Sequence, residues 1–264
     1  MENAQISLKR GGFGRTMRSD IWWVQPLVVF VGLSCFIVYA TWAAFQNAHY
    51  EWGPYLSPFY SPLLFGDSRH AWFQGWPGFL PAVSPALLIL WMPAGFRVTC
   101  YYYRGAYYKG FWADPPSCTV GEPRGKYRGE QSFPLILQNI HRYFLYIAIP
   151  FLMVLAHDFW KSLWFENPGA GGTTFGVGVG SIVLALNVIF LAGYTFGCHS
   201  LRHLIGGQLD ELSKKPLCHL AYHYASRFNQ RHMLWAWCSL VWVMFSDLYV
   251  RLLSMGVWSD WRIL

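Results

Sequence analysis

Residues 175–204, FGVGVGSIVLALNVIFLAGYTFGCHSLRHL, decide the fold. About twenty of them form an uncharged apolar run, which is the length that a helix needs to cross about 30 Å of hydrocarbon. Membrane helices usually end in Lys, Arg or Trp, whereas this run ends in Cys198, His199 and His203. The stretch therefore predicts a transmembrane helix with metal-binding types of side chain at one end.

The composition of the whole chain is typical of a membrane protein. Of its 264 residues, 54% are hydrophobic and only 12% are charged, whereas soluble domains carry about 25% charged residues. The net charge of +7 does not indicate nucleic-acid binding, because the basic residues lie between apolar runs. No cleavage site for a removable signal peptide follows the first apolar run. The six cysteines lack the spacing of a disulfide framework.

Five apolar stretches predict an all-α integral membrane protein, a single bundle of five transmembrane helices formed by residues 1–264. The predicted spans cover about residues 21–45, 79–102, 135–160, 175–204 and 233–257. The second contains Pro81, Pro85 and Pro93, which a kinked span tolerates where neighbouring helices bond to the freed backbone groups. The aromatic segment before it is expected to form a cap on the membrane surface, since Trp and Tyr favour that depth.

The distribution of Lys and Arg predicts the orientation. With the N-terminus in the cytoplasm, only Arg69, Lys161, Arg251 and Arg262 of the 20 basic residues lie on the outer side. We therefore expect a multi-pass protein of the bacterial cytoplasmic membrane. Asp247 and Arg251 are four residues apart in the fifth span, which predicts that their charges neutralise each other in the outer half of the membrane.

Candidate metal ligands gather at the inner ends of the spans. They are Cys100, Cys118, His141, Cys198, His199 and His203, with His232 at the same level. His199 and His203 share a helix face, whereas Cys198 points about 100° away from His199 on a continuous helix. A lone buried Cys is usually a small hydrophobe, but several ionisable groups at one membrane depth favour a functional site.

The residues alone leave three kinds of metal centre open. A haem b would need two histidines from different helices, which His141 with His199 or His203 would supply. A Rieske-type [2Fe–2S] centre would need two cysteines and two histidines. A closed zinc site uses the same set of ligands.

A second cluster of side chains suggests quinone binding. The segment FRVTCYYYRGAYYKGFWADPPSC, residues 96–118, holds more Tyr and Arg than an aromatic belt with inner positive charge requires. The excess predicts a docking face for a cytoplasmic partner or a pocket for a quinone head group, and a histidine there can supply a proton. The candidate quinone residues are Tyr102, Arg104, Trp112, His141 and Arg142.

These strings resemble the membrane-anchor, cytochrome b-like subunit of succinate dehydrogenase and fumarate reductase, of the single-chain five-helix type. Further matching strings are PYLSPFYSP at residues 54–62, FPLILQNIHRYFLY at 133–146 and DLYVRLL at 247–253. The resemblance implies that a flavoprotein subunit with FAD oxidises succinate and that an iron–sulfur subunit passes electrons to the membrane. This chain would bind membrane lipid and quinone, and would not oxidise succinate itself.

The resemblance also narrows the choice of cofactor. The first span has no histidine, and the second carries Cys100 where a haem ligand is expected. This favours the branch of the family with a Rieske-type cluster, with Cys100 and Cys118 on one iron and His199 and His203 on the other. His141 and Cys198 are the reserve ligands. The alternatives are a haem b anchor of the same complex and a non-redox structural or transport protein; a higher oligomer stays open.

Overall fold

The computed structural model describes residues 19–81, 83–112, 135–167, 169, 171–207, 211 and 214–264. Four long helices are α1 (Val24–Gln46), α5 (His141–Lys161), α6 (Val179–Phe196) and α9 (His232–Ser254). The shorter helices are α2 (Pro85–Ile89), α3 (Trp91–Val98), α4 (Tyr101–Phe111), α7 (His199–Gly206) and α8 (Pro216–Asn229), and a 3-10 turn covers Leu135–Ile140.

Three small sheets lie in the connecting segments that the structure describes. Antiparallel pairs join β1 (Glu51–Trp52) to β2 (Tyr55–Leu56) and β5 (Trp164–Glu166) to β6 (Thr173–Phe175). A parallel pair joins β3 (Phe65–Gly66) to β4 (Phe73–Gln74). The architecture is therefore a helical bundle with minor sheets in its loops.

Four helices of the described residues, α1, α5, α6 and α9, are long and apolar enough to cross a membrane. The predicted second span, residues 79–102, instead contains α2, α3 and the start of α4. Pro85 begins α2 and Pro93 lies in the first turn of α3. Proline is tolerated in a first turn because its missing N–H would have no partner there. The prolines therefore divide this segment into short helices, and a total of five membrane helices stays a prediction.

The helical backbone breaks in the same way at two cysteines. The predicted fourth span runs to residue 204, but α6 ends at Phe196 and α7 begins at His199. Between them Cys198 is extended, with φ −65° and ψ 137°. Cys100, between α3 and α4, has φ −66° and ψ 133°. Each cysteine therefore lies in a short extended link between two helices.

Glycines allow the central helices to approach closely. Helix α6 packs against both α5 and α9, and α3 packs against α5. A Cβ atom at Gly193 in α6 would overlap the ring of Trp235 in α9, and one at Gly95 in α3 would overlap the ring of Phe144 in α5. Larger residues at Gly193 and Gly95 would push apart the helices that carry the candidate ligands.

The segment between α1 and α2 forms the expected cap over one end of the bundle. Tyr55, Tyr60 and Leu63 are fully buried there. The hydroxyl of Tyr60 donates to the carbonyl of Ala43 at 2.8 Å and accepts from the N–H of Asn47 at 3.0 Å. These bonds satisfy backbone groups at the C-terminal end of α1, which would otherwise lack partners.

A buried ion pair joins this cap to α9 and α1. The guanidinium of Arg251 donates twice to the Asp247 carboxylate, at 3.2 Å each. The Tyr39 hydroxyl in α1 donates to Asp247 at 2.6 Å, and the Ser57 hydroxyl in the cap donates to its other oxygen. Arg251 also donates to the carbonyl of Ala48 at 2.8 Å. The neutralisation predicted for Asp247 and Arg251 is present and ties three segments together.

We expect Asp247→Asn to destabilise the fold strongly, because it leaves the buried guanidinium of Arg251 without its counter-charge. Removing one partner of a buried ion pair costs about 3–5 kcal/mol. Thermal unfolding of the purified protein in detergent measures the effect. Val241→Ala, at an exposed position of the same helix, is the control, and equal midpoints for the two variants would contradict the role of the pair.

Candidate functional site

Two cysteines and two histidines lie together at the end of the bundle opposite the cap. Cys100 and Cys198 occupy the two helix breaks, and His141 and His232 are the first residues of α5 and α9. They meet because α3 and α6 end, and α4, α5, α7 and α9 begin, at the same level of the bundle. The four side chains therefore come from four separate segments.

Each histidine contacts one cysteine. The Nε2 atom of His141 lies 3.1 Å from the Sγ atom of Cys198, and the Nε2 atom of His232 lies 3.6 Å from the Sγ atom of Cys100. Cys100, Cys198 and His141 are only 3%, 2% and 8% exposed. No three His, Cys, Asp or Glu side chains of the described residues are close enough to hold a single ion. The group is therefore two neighbouring Cys–His pairs.

Thr99 orients the imidazole of His141. Its hydroxyl donates to the carbonyl of Gly95 at 2.6 Å and lies 2.8 Å from Nδ1 of His141. Because the hydroxyl proton of Thr99 already bonds to Gly95, Nδ1 of His141 must carry a proton and donate it to the Thr99 oxygen. Nε2 of His141 therefore keeps its lone pair, which is directed towards Cys198. A hydrogen bond that fixes one ring nitrogen and frees the other is typical of metal-binding histidines.

Aromatic rings enclose the two histidines. His141 stacks on Phe96 at 4.7 Å between ring centroids, and His232 stacks on Tyr194 at 5.1 Å. Among the described residues, Nδ1 of His232 and the hydroxyl of Tyr194 are buried without a hydrogen-bond partner. Such atoms are uncommon in folded proteins, and a bound group beside them would supply the missing interaction.

Two opposing effects act on the pKa of the Cys198 thiol, which lies just beyond the end of α6. Burial raises the pKa of its thiol to about 11, and the backbone N–H groups of Ser200 and Leu201 at the start of α7 oppose this rise. Amides directed at sulfur favour the thiolate, which is the form that binds a metal. A positive metal would act in the same direction as these amides.

The predicted histidine pair lies elsewhere in the structure. His199 and His203 are exposed on α7, and their Nε2 atoms face each other at 3.0 Å. The predicted reserves His141 and Cys198 are in the buried group, as is Cys100, while Cys118 lies outside the described residues. The sequence places His232 at this level but does not include it among the candidate ligands, whereas in the structure it contacts Cys100. The sequence signal for His232 is that, like His141, it immediately precedes a long apolar run.

The candidate quinone residues lie on two different helices. Tyr102, Arg104 and Trp112 belong to α4 or its end, which packs on α1, whereas His141 and Arg142 begin α5, which packs on α3 and α6. Tyr102 accepts a hydrogen bond from Trp237 at 2.6 Å. Arg104 is buried and stacks on Tyr101. Trp112 packs on neighbouring tyrosines, and exposed Arg142 bonds to Tyr143.

An apolar cavity of about 150 Å³ lies next to the Cys–His pairs. Its walls come from α1, α3, α5, α6, α9 and the cap, and Arg97 is the charged residue in its lining. Two N–H groups of Arg97 bond to Tyr103 at 2.7 Å and to Ser239 at 3.1 Å. Phe96 and Tyr194, which stack on the two histidines, also line the cavity. One layer of side chains thus separates the cavity from the pairs.

Comparison with known proteins shows one family and one close structural relative. Residues 24–256 match the family described as "Actinobacterial succinate dehydrogenase subunit SdhC". A chain of the Mycobacterium smegmatis Sdh1 complex in the apo form is 41% identical, with a TM-score of 0.86 and 98% of both chains covered. No curated protein matches the chain.

We expect Cys100 and Cys198 to resist alkylation in the folded, metal-free protein. Both thiols are buried, and at pH 8 the pKa of about 11 keeps Cys198 in the unreactive neutral form. Iodoacetamide labelling followed by peptide mass spectrometry measures the protection. The same protein denatured in SDS serves as the reactive control, because Cys35, although exposed on the bundle, lies within the spanning helix α1. Labelling of Cys198 in the folded protein as fast as in SDS would contradict the burial of the site.

Proposed function

The chain belongs to the family of actinobacterial succinate dehydrogenase SdhC membrane subunits, and we propose that it passes electrons from that enzyme to quinone. The observation that carries this proposal is the buried group of Cys100, Cys198, His141 and His232 beside an apolar cavity. The likeness to a chain of an Sdh complex supports assembly with a flavoprotein subunit and an iron–sulfur subunit. Succinate oxidation would belong to those partners.

We infer that the two Cys–His pairs hold a Rieske-type [2Fe–2S] centre. Two thiolates and two imidazoles are its donor types, and the unpartnered Nδ1 of His232 and hydroxyl of Tyr194 fit a bound group. Such a centre supplies one-electron transfer at a potential set by its ligands and their hydrogen bonds. Zinc uses the same donors, but it would not carry electrons.

The chain's own residues favour the cluster over the haem alternative. A haem b would need two histidines and no cysteine, whereas here each histidine contacts a cysteine sulfur and stacks on an aromatic ring. Thr99 holds His141 with the lone pair of Nε2 directed at Cys198, and the start of α7 directs amides at Cys198. Burial of both sulfurs excludes water from the site.

We place this end of the bundle on the cytoplasmic side, where the iron–sulfur partner would dock. The described basic residues Arg97, Arg104, Lys109, Arg142, Arg202 and Arg227 lie at this end, in line with the positive-inside rule. Arg69 and Arg251 lie at the cap end. Electrons would therefore enter the chain from the cytoplasmic partner.

We propose the apolar cavity as the quinone site. Apolar walls suit a lipid-soluble ring and tail, and a few convergent polar groups give orientation. Arg97 uses two of its five N–H donors on other described residues, which leaves donors for a quinone carbonyl. The cavity is preferred to the set Tyr102, Arg104, Trp112, His141 and Arg142 because it shares Phe96 and Tyr194 with the metal-binding group.

Ligand variants test the metal centre. We expect Cys100→Ser, Cys198→Ser, His141→Ala and His232→Ala each to abolish the rhombic [2Fe–2S] signal in low-temperature EPR of the dithionite-reduced complex, because each removes one donor. His199→Ala and His203→Ala are matched controls that should retain it. Native gels check that every variant still assembles with its partners.

Other outcomes of this experiment would contradict the assignment in distinct ways. Loss of the EPR signal in the His199 and His203 variants alone would show that the ligand histidines are those on α7. Reduced haem bands without the EPR signal would favour haem b. Zinc in metal analysis, with neither signal, would remove the redox role while leaving the anchor role intact.

Filling the cavity tests the quinone site. We expect Ala148→Phe, in the cavity wall, to lower kcat/KM for a short-chain quinone roughly tenfold, a little over 1 kcal/mol, and to leave the EPR signal unchanged. Ala156→Phe, on the same helix but outside the cavity lining, is the control. Unchanged kinetics in Ala148→Phe together with a loss in Tyr102→Phe would move the site to α4.

A further inference from the structure

Helix α8 has an apolar stripe that the described residues leave largely exposed. Leu217, Leu220, Tyr224 and Phe228 are spaced by three, four and four residues and are 82%, 52%, 54% and 37% exposed. This spacing places them on one side of the helix. A contiguous apolar stripe of this kind marks contact with a membrane or another protein.

The other two sides of α8 have different environments. One side packs on the bundle: Tyr222 accepts from Arg202 at 2.9 Å, Asn229 donates to the carbonyl of Gly197 at 2.8 Å, and Ala225 is buried. The remaining side carries exposed His219, His223 and Arg227. The helix is therefore fixed in rotation, and its apolar stripe has a defined direction.

Ring contacts connect the apolar stripe to the spanning helices. The ring centroid of Phe228 lies 5.8 Å from that of Trp235 in α9. The Phe190 ring in α6 is 6.4 Å from Trp235 and 5.5 Å from Trp242, again between ring centroids. Met233 and Leu234, in the first turn of α9, are also exposed. Because α6 and α9 are long and apolar enough to cross a membrane, the stripe joins a surface that would meet acyl chains.

Basic residues flank the stripe near both ends of α8. Lys215 precedes α8, Arg227 lies in its last turn, and Arg231 precedes α9. All three are exposed. Cationic side chains beside an apolar stripe are typical of helices that lie in the interface of a membrane with anionic lipids.

We propose that α8 lies in the interface of the inner leaflet and binds acidic phospholipid. Its stripe of Leu217, Leu220, Tyr224 and Phe228 contacts the acyl chains, and Lys215, Arg227 and Arg231 contact the phosphate groups. This inference rests on the orientation given with the proposed function. It assigns α8 to lipid contact rather than to docking of the catalytic subunits.

Site-specific photocrosslinking identifies what covers the stripe. The whole complex, in nanodiscs of phosphatidylglycerol and phosphatidylcholine, carries p-benzoylphenylalanine in place of Leu220 or Tyr224. The matched control carries it in place of His223, one residue away on the polar side. After irradiation, mass spectrometry should detect phospholipid adducts at several-fold higher yield at 220 and 224 than at 223, with phosphatidylglycerol enriched among them.

Every other outcome overturns the proposal. Crosslinks from 220 and 224 to the iron–sulfur or flavoprotein partner would make the stripe a protein interface. Equal lipid yields at all three positions, or no lipid adducts at 220 and 224, would remove α8 from the membrane interface. Native gels and succinate–quinone activity, measured on the same samples, report separately on the proposed function.

Discussion

The candidate centre depends on two breaks in helical backbone at the same level of the bundle. Cys100 and Cys198 are both extended between two helices, and both sulfurs are buried inside the bundle. At Cys198 the following helix also supplies the backbone amides of Ser200 and Leu201. His141 and His232 begin α5 and α9 at this level. Had α6 continued through Cys198, the thiol and the two following histidines would have been distributed around a single helix, and the buried group could not form.

The opposite end of the bundle is stabilised by a different kind of interaction. There the Asp247 carboxylate accepts hydrogen bonds from α1, from the cap and from Arg251, and Arg251 also donates to the carbonyl of Ala48. Charges away from water are tolerated only when they are paired and hydrogen-bonded. The cap thereby closes one end of the apolar interior, and Pro58 and Phe59 of the cap line the cavity that reaches towards the Cys–His pairs.

The broken helix α2–α3 connects these two ends. Its prolines begin new helical turns, and Gly95 lets α3 approach α5 closely enough for Thr99 to reach His141. Phe96 and Arg97 from the same short helix contribute to the cavity wall. A straight, uninterrupted span would present these residues to different neighbours. The break between α2 and α3 therefore joins the candidate metal centre to the candidate quinone site.

The sequence by itself determined the membrane class, four of the spans, the cap and the Asp247–Arg251 pair, because hydropathy and i, i+4 spacing are local properties. Its resemblance to succinate dehydrogenase anchors was confirmed by the family match. It also placed Cys100, Cys198, His141 and His232 at one depth. Only the tertiary structure decided that His232 contacts Cys100 while His199 and His203 face outward. Spacing along a helix places side chains only where the helix is continuous, and the helix is interrupted at Cys198. Which histidine ring turns inward therefore depends on this break and on the packing of α6 against α9.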